Sequence, residues 1–206
     1  TFMIPQCPER LVALHGSDKA FISNLDQLFV VEGDLGEGAP PDITGMIGQY
    51  AHGNEPAHHV PYMYAYAGAQ YKTAERVRSL QKEFYTDQPD GYCGNEDCGQ
   101  MSAWHVLSAL GFYQVNPSNG VFVFGSPSFG TTTINLSNGK TFTVEAIGNS
   151  KDNVYIKSAK LNGKTYTKSY ITYNDIMKGG KLTFVMSNKP NKSFGSAKKD
   201  RPVSAE

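Results

Sequence analysis

The segment HGNEPAHH, residues 52–59, contains the first residues whose types and spacing could carry chemistry. Pro56 suits the first turn of a helix, where its missing N–H costs nothing. Glu55 then lies at the mouth of this helix. His58 and His59 follow it by three and four residues, which places them on the same side. Carboxylate and imidazole groups therefore converge at a helix start, as a catalytic or binding site would require.

The same segment also has a purely structural interpretation. Asn54 would cap the helix by accepting a backbone hydrogen bond, and the carboxylate of Glu55 would interact favourably with the helix dipole. His58 and His59 would then be packing residues. The residue types alone leave both interpretations open.

A second segment of this kind is GNEDCGQMSAW, residues 94–104. Asp97 and Gln100 have the spacing of a capping box at the start of a helix. That box does not account for Asn95 and Glu96, which stand beside Asp97 in a glycine-rich loop. Several oxygen-bearing side chains at the positive end of a helix keep a carboxylate ionised, which suits a general base or a hard-cation ligand.

Two aspects of these segments bear on ligands. Trp104 could stack on a sugar ring, although a lone tryptophan on an apolar helix is more often a core residue. The histidines and Glu55 indicate zinc, but residue 56 is proline and neither the H-E-x-x-H nor the H-x-x-E-H spacing is present. Oxygen ligands favour calcium over zinc. The oxygen-bearing side chains are those of Asn54, Glu55, Asn95, Glu96 and Asp97.

These segments must be positioned by helices, because helical periodicity occupies the first part of the chain and strand periodicity the second. We expect helices over residues 9–31 with an interruption at Gly16 and a new cap at Ser17 or Asp18, over 56–67, over 73–85 and over 99–112. After Pro117, two hairpins with turns at Asn138-Gly139 and Asn162-Gly163 precede a last strand, KLTFVMS. The predicted order is helices over residues 1–117, an antiparallel β unit over 118–188 and a flexible tail over 189–206.

Composition excludes several classes of protein. The chain has 206 residues, of which 39% are hydrophobic, enough to bury a core. Residues 1–119 hold 6 basic and 14 acidic side chains, and residues 120–206 hold 13 and 5. The basic residues are spread along predicted strands rather than clustered, so we expect no nucleic-acid partner. No apolar run approaches the length of about 18 residues that a membrane span needs. The amino end, TFMIPQCPER, has neither the charged region nor the long apolar region of a secretory signal. It also lacks an initial Met, so we expect a segment of a longer protein.

Two long stretches resemble glycoside hydrolase family 92. They are GQYAHGNEPAHHVPYMYAYAG and YTDQPDGYCGNEDCGQMSAWHVLSALGFYQVNP. The stretch GSPSFGTTTINLSNGKTF is also similar to the end of that family, so the resemblance covers about residues 1–188. Members are calcium-dependent, inverting exo-α-mannosidases, mostly from gut Bacteroidetes, that act on α-mannoside glycans and in N-glycan degradation.

The resemblance implies a fold and a set of site residues. The fold would be the closing helices of an (α/α)6-type barrel followed by antiparallel, β-sandwich-like strands. Asp97 would be the general base, and Asn54 and Glu55 would be calcium ligands. Substrate contacts would come from His52, Glu55, His59, Glu96 and Trp104. The parent protein would be exported, and its upstream part would be a partner of this segment.

This sequence departs from the family pattern at two positions. Asn95 stands where some members carry a second acid, so Asp97 would act alone, and Cys7 stands where some carry Asp. The family's general-acid motif would lie before Thr1, so we expect this chain alone to lack the acid. Two other interpretations therefore remain: a non-catalytic fragment that binds calcium and mannose, and a structural β-rich accessory unit.

Overall fold

The computed structural model describes residues 2–33, 36, 38, 40 and 43–204. The helices are α1 (Pro8–Leu14), α2 (Asp18–Leu28), α3 (Gln70–Phe84), α4 (Gln100–Leu110) and α5 (Tyr173–Met177), with 3₁₀ segments at Glu55–Ala57, Val60–Ala67 and Lys198–Asp200. The strands are β1 (Met46–Ile47), β2 (Tyr50–Ala51), β3 (Phe112–Tyr113), β4 (Val121–Phe124), β5 (Thr131–Asn135), β6 (Thr141–Ile147), β7 (Tyr155–Leu161), β8 (Lys164–Tyr166), β9 (Tyr170–Thr172) and β10 (Gly180–Ser187). The predicted order, helices before strands, is confirmed. Part of the predicted loop at 33–45 lies outside the described residues.

The first two helices are separated where the sequence predicted. Gly16 takes a left-handed φ of 80°, and the Ser17 hydroxyl accepts a hydrogen bond of 3.1 Å from the backbone N–H of Ala20. This bond caps α2, because the first turn of a helix has N–H groups without intrahelical partners.

The predicted helix over residues 56–67 is instead two 3₁₀ segments, and it begins one residue earlier, at Glu55. Pro56 and Pro61 lack the N–H that a continuous α-helical ladder would need. Every residue of the second segment, Val60–Ala67, is buried. A segment that is apolar on all sides belongs at the centre of a core, and this one packs against α1, α2 and α3.

Two hydrophobic clusters form the interior, one between the helices and one between the sheets. Helix α4 contributes to both, because Trp104 lies in the first cluster while Leu107 and Leu110 pack against the second. Gly111 ends this helix with a φ of 105°, inside the predicted range of 99–112. Helix α4 therefore joins the helical part of the molecule to its strands.

The strands form a five-stranded sheet in the order β5-β6-β10-β7-β8 and a three-stranded sheet in the order β3-β4-β9. Both predicted hairpins are present, at β5-β6 and at β7-β8. The expectation of a purely antiparallel unit is wrong, since β10 pairs parallel with β6 and antiparallel with β7. Strands β6 and β7 run in opposite directions, so a strand inserted between them must be parallel to one of the two.

The boundary between helices and strands also differs from the prediction at residue 117. Strand β3 precedes that residue and pairs with β4 on its other side, and the small β1-β2 ladder lies within the helical part. Strands β1, β2 and β3 are each two residues long, which is too short to produce a recognisable alternation in the sequence.

The segment after Asn188 makes more contacts than the predicted flexible tail would. Phe194 is buried in the cluster between the sheets, and the Thr167 hydroxyl donates to the Asp200 carboxylate at 2.9 Å. The Ser204 hydroxyl donates to the carboxylate of Glu9 in α1. The segment lacks periodicity because single side chains, rather than a helix or strand, hold it to the molecule. No helix in the described part of the chain is long and apolar enough to cross a membrane.

Candidate active site

The structure brings the two chemistry-bearing segments side by side through close glycine contacts. A Cβ atom added to Gly94 would lie 3.0 Å from the carbonyl oxygen of Gly53, and one added to Gly53 would lie 3.2 Å from the carbonyl oxygen of Cys93. The hydroxyl of Thr44 lies against both glycines. Backbones approach this closely only where no side chain intervenes. Residues 52–59 and 94–104 therefore form one site.

His58 links the two segments through both ring nitrogens. Its Nε2 lies 2.9 Å from the carbonyl oxygen of His52, which can only accept, so Nε2 carries the proton. Its Nδ1 must then accept from the side-chain amide of Gln100 at 3.0 Å. The same amide nitrogen donates to the Tyr113 hydroxyl at 3.1 Å. Burial lowers the pKa of His58 to about 4, so the ring stays neutral and keeps these bonds.

His52 is fully buried between two tyrosines. Its Nδ1 lies 2.8 Å from the Tyr50 hydroxyl and its Nε2 lies 2.8 Å from the Tyr85 hydroxyl. Burial lowers the pKa of His52 to about 3. Both of its polar atoms are bonded inside the core. This burial speaks against the predicted substrate contact of His52, which stays a prediction.

Trp104 is also fully buried, and its indole N–H donates to the carbonyl oxygen of His58 at 3.0 Å. The ring packs edge-on against His52 and parallel to Tyr85. Trp104 is thus a core residue in this structure. Its burial speaks against the predicted sugar stacking, which stays a prediction. Trp104 holds the backbone of His58 in place through this hydrogen bond.

Glu96, rather than Asp97, satisfies the start of α4. Its carboxylate accepts from the backbone N–H groups of Gly99 and Ser102 and from the Ser102 hydroxyl at 2.6 Å. These bonds, led by that of the hydroxyl, lower the pKa of Glu96. The N-cap residue is Gly99, and the Gln100 side chain bonds to His58. The predicted capping box of Asp97 and Gln100 is therefore wrong, because a carboxylate one residue earlier reaches the same N–H groups.

Asp97 lies in the exposed turn that precedes α4. Its φ is 53°, that of Cys98 is 57° and that of Gly99 is 95°, so three consecutive residues are left-handed. This conformation is costly for residues with a side chain and is concentrated at functional sites. The turn directs the chain so that Glu96 faces the helix while Asp97 is exposed to solvent.

Asn54 and Glu55 are partly exposed at the other segment. Asn54 is the N-cap residue of its 3₁₀ segment but makes no capping bond with its side chain, so the capping interpretation is wrong. Glu55 lines an open cavity of about 430 Å³ together with His59, Gln100 and Tyr113. His59 is 5% exposed and bonds to the carbonyl oxygen of Phe2 at 2.9 Å, which leaves little of its ring to contact a ligand.

The described residues contain no group of three or more His, Cys, Asp or Glu side chains arranged to hold a metal ion. Asn54 and Glu55 offer two adjacent hard oxygen donors on a partly exposed segment. Such donors fit part of a calcium shell, which takes about 6–8 oxygen ligands.

Sequence reasoning missed several residues that build this site. Gly53 and Gly94 hold the segments together, and Ser102 and Tyr113 orient Glu96 and Gln100. The glycines of HGNEP and GNED were visible as motif members, but their contact depends on the fold. No local pattern pairs Ser102 with a carboxylate six residues earlier.

Comparisons with known proteins identify the family of this chain. The family model described as the glycosyl hydrolase family 92 catalytic domain matches residues 1–188. A protein of Arthroderma benhamiae described as an uncharacterized secreted glycosidase is 31% identical over an alignment of 206 positions, which covers 98% of this chain and 24% of that protein.

Solved structures show the same likeness. A family GH92 alpha-mannosidase from Bacteroides thetaiotaomicron has a TM-score of 0.90 and 42% identity over 98% of this chain and 27% of its own. A family GH92 inverting mannosidase from the same species has a TM-score of 0.85 and 38% identity, over 98% and 28%. The chain spans about a quarter of the length of these relatives. The resemblance found in the two motifs is confirmed, and this chain belongs to glycoside hydrolase family 92.

Proposed function

We propose that this chain is the carboxyl-terminal portion of an inverting, exo-acting α-mannosidase that removes terminal mannose from α-mannoside glycans. One observation carries the proposal: the HGNEP and GNED segments meet, and each leaves a carboxylate accessible, Glu55 at the open cavity and Asp97 in the exposed turn. The descriptions of the two Bacteroides structures as α-mannosidase and inverting mannosidase support it.

The proposal extends to the architecture and location of the parent protein. The helices would be the closing helices of an (α/α)6-type barrel, completed by the upstream part of the same protein. The described secretion of the fungal relative supports export of the parent protein. Terminal mannosides of N-glycans, exposed outside the cell, are then the substrates we expect.

Asp97 is the general base in this mechanism. Its carboxylate takes a proton from a water molecule while the water oxygen bonds to the anomeric carbon from the face opposite the leaving group. The glycosidic bond breaks as its oxygen receives a proton from a general acid, and the configuration at the anomeric carbon inverts. In inverting glycosidases the two carboxyl groups lie about 6.5–9.5 Å apart, which leaves room for the water.

Glu55 and its neighbours would bind the sugar. The Gln100 amide nitrogen is occupied by His58 and Tyr113, so its carbonyl oxygen remains as an acceptor at the cavity. Tyr113 accepts from Gln100, so its own hydroxyl proton is available to donate. A carboxylate, a carbonyl and a hydroxyl at one cavity match the alternating donors and acceptors of a sugar.

We propose calcium as the cofactor, with Asn54 and Glu55 contributing oxygen ligands. When bound, the ion supplies positive charge that orients and polarises the hydroxyl groups of the terminal sugar. The adjacent positions of Asn54 and Glu55, and their partial exposure, are the features that support this assignment. The neutral state of buried His58 keeps the segment that carries them fixed as the pH varies near neutrality.

The test is mannose release from α-linked mannobioses by the full-length protein, with EDTA and calcium add-back. Asp97→Asn should lower turnover by about 10²–10⁴-fold, the usual contribution of a general base. Asp90→Asn, an exposed aspartate in the preceding loop, is the matched control and should keep its activity. Substantial turnover by Asp97→Asn would contradict the base assignment. Full activity after EDTA treatment would contradict the calcium assignment.

A further inference from the structure

We propose that Glu96 is a positioning residue of this site, whose carboxylate fixes the left-handed turn that holds Asp97 and does not itself contact the substrate. The inference rests on the proposed role of Asp97. It assigns to Glu96 a different role from the substrate contact that the sequence predicted.

The hydrogen bonds that lead to Glu96 have a fixed order of donors and acceptors. A carboxylate only accepts, so the Ser102 hydroxyl donates its proton to Glu96 at 2.6 Å. The hydroxyl oxygen of Ser102 must then accept from Tyr92, whose hydroxyl lies 2.7 Å away. Two backbone N–H groups, those of Gly99 and Ser102, complete the set. Both carboxylate oxygens are therefore engaged within the first turn of α4.

The turn between Glu96 and α4 needs such support. Asp97 and Cys98 both have positive φ values, 53° and 57°, without being glycine. Backbone bonds from Gln100 to the Asp97 carbonyl at 3.1 Å and from Met101 to the Glu96 carbonyl at 3.2 Å close the turn from one side. The carboxylate of Glu96 adds hydrogen bonds from the backbone N–H groups of Gly99 and Ser102 to the same turn. Losing that carboxylate should let Cys98 relax toward right-handed backbone and displace Asp97.

A plain helix cap would use similar bonds, so the test must separate stability from catalysis. In the full-length protein, Glu96→Gln should lower kcat by about 10–100-fold, the effect of a misplacement of about 1 Å, with KM changed less than twofold. Ser102→Ala should act in the same direction with a smaller loss. The control Glu83→Gln, an exposed glutamate of α3, should leave both constants unchanged. An increase in KM with kcat intact would identify a substrate contact and overturn the inference.

A second substitution tests the strain itself. Glycine adopts positive φ without a steric penalty, so Cys98→Gly should restore part of the kcat lost in Glu96→Gln. If the double variant is no faster than Glu96→Gln, the turn does not transmit the effect and the inference is overturned. An unchanged kcat with a lower melting temperature in Glu96→Gln also overturns it, because the residue is then only a cap.

Amide hydrogen exchange separates this inference from the proposed function. Glu96→Gln should speed exchange at the N–H groups of Gly99 and Ser102, whether or not the protein is active. Unchanged exchange overturns the role of Glu96. Absence of mannose release by the wild-type protein, with faster exchange in the variant, would refute the α-mannosidase proposal while leaving Glu96 as the residue that holds the turn.

Discussion

Burial separates the side chains that support the site from those that can contact a ligand. His52 and Trp104 are completely buried and bonded at every polar ring atom, whereas Glu55 is partly exposed and Asp97 is exposed. The imidazole and indole groups thus pack beneath the two segments, and the two carboxylates are the groups that a ligand can reach. The residue types alone could not distinguish these roles.

Trp104→Phe tests this division at a single residue. The variant removes the N–H that satisfies the buried carbonyl of His58 and leaves a small cavity. We expect the free energy of unfolding to fall by about 1–3 kcal/mol, while KM for a mannoside stays within twofold. Urea denaturation and steady-state kinetics measure the two effects. Val106→Ala, at an exposed position of the same helix, should change neither. A large rise in KM would return Trp104 to the substrate site.

At the scale of elements, the join between the two loops depends on glycine. A Cβ on Gly94 would lie 2.8 Å from the Thr44 hydroxyl and 3.0 Å from the Gly53 carbonyl oxygen. Gly94→Ala should therefore push the loops apart, lower the free energy of unfolding by about 1–3 kcal/mol and reduce kcat. Gly130→Ala is the matched control, because a Cβ there meets nothing within 4 Å. Equal effects of the two substitutions would show that the glycine contact does not hold the site together.

The sequence predicts the elements well where a local signal determines them. Ser17 marks the start of α2, and the Asn-Gly turns mark both hairpins of the large sheet. Prediction from the sequence fails where contacts between residues far apart in the chain determine the structure. Two features depend on contacts that no local pattern predicts. They are the position of β10 between β6 and β7 and the hydrogen bonds of Glu96 at the start of α4. For the site, sequence located both motifs but not the burial of their aromatic rings.

The buried histidines make the helical part sensitive to acid. Burial lowers the pKa of His52 to about 3 and that of His58 to about 4, against about 6.5 in an unfolded chain. Below about pH 6.5 the unfolded chain binds protons that the folded chain does not, so stability falls as pH decreases from there toward pH 4. Melting temperatures between pH 7.5 and 5 should decline accordingly. Imidazole nitrogen shifts that show either ring protonating above pH 6 would contradict this explanation.

At the scale of the whole molecule, helix α3 fastens the helical part to the strands. The buried Gln70 amide donates to the carbonyl oxygens of Phe124 and Gly125, at 3.2 and 2.8 Å. Arg78 donates to the carbonyl of Ser150 at 2.9 Å and to neighbouring acceptors in the strand part. The Tyr62 hydroxyl meets that of Ser108 at 2.7 Å. The bonds of Gln70 and Arg78 thus fix α3 against the strand part, and the bond between Tyr62 and Ser108 fixes α4 against the central 3₁₀ segment.

The carboxyl-terminal segment also contacts helix α2, and this contact should control proteolysis. Arg201 pairs with Asp18 of α2 at 2.9 Å, donates to the Ser196 carbonyl at 2.9 Å and packs on Gly68. The ion pair is partly exposed and contributes little alone. With the lost packing and hydrogen bond, Arg201→Ala should lower the free energy of unfolding by about 1–2 kcal/mol.

In limited trypsin digestion, Arg201→Ala should accelerate cleavage after Lys198 and Lys199, because these residues form the 3₁₀ turn that Arg201 holds. Lys164→Ala, exposed in the β7-β8 hairpin, is the control and should not change cleavage at those lysines. If wild-type protein is already cut there as fast as the variant, the segment after Asn188 is a flexible tail after all, and its contacts with α1 and α2 do not hold it in solution. Resistance in the wild type alone would show that the contacts with Asp18 and Glu9 hold this segment against α1 and α2 in solution. A segment without a periodic sequence pattern would then be an ordered part of the fold.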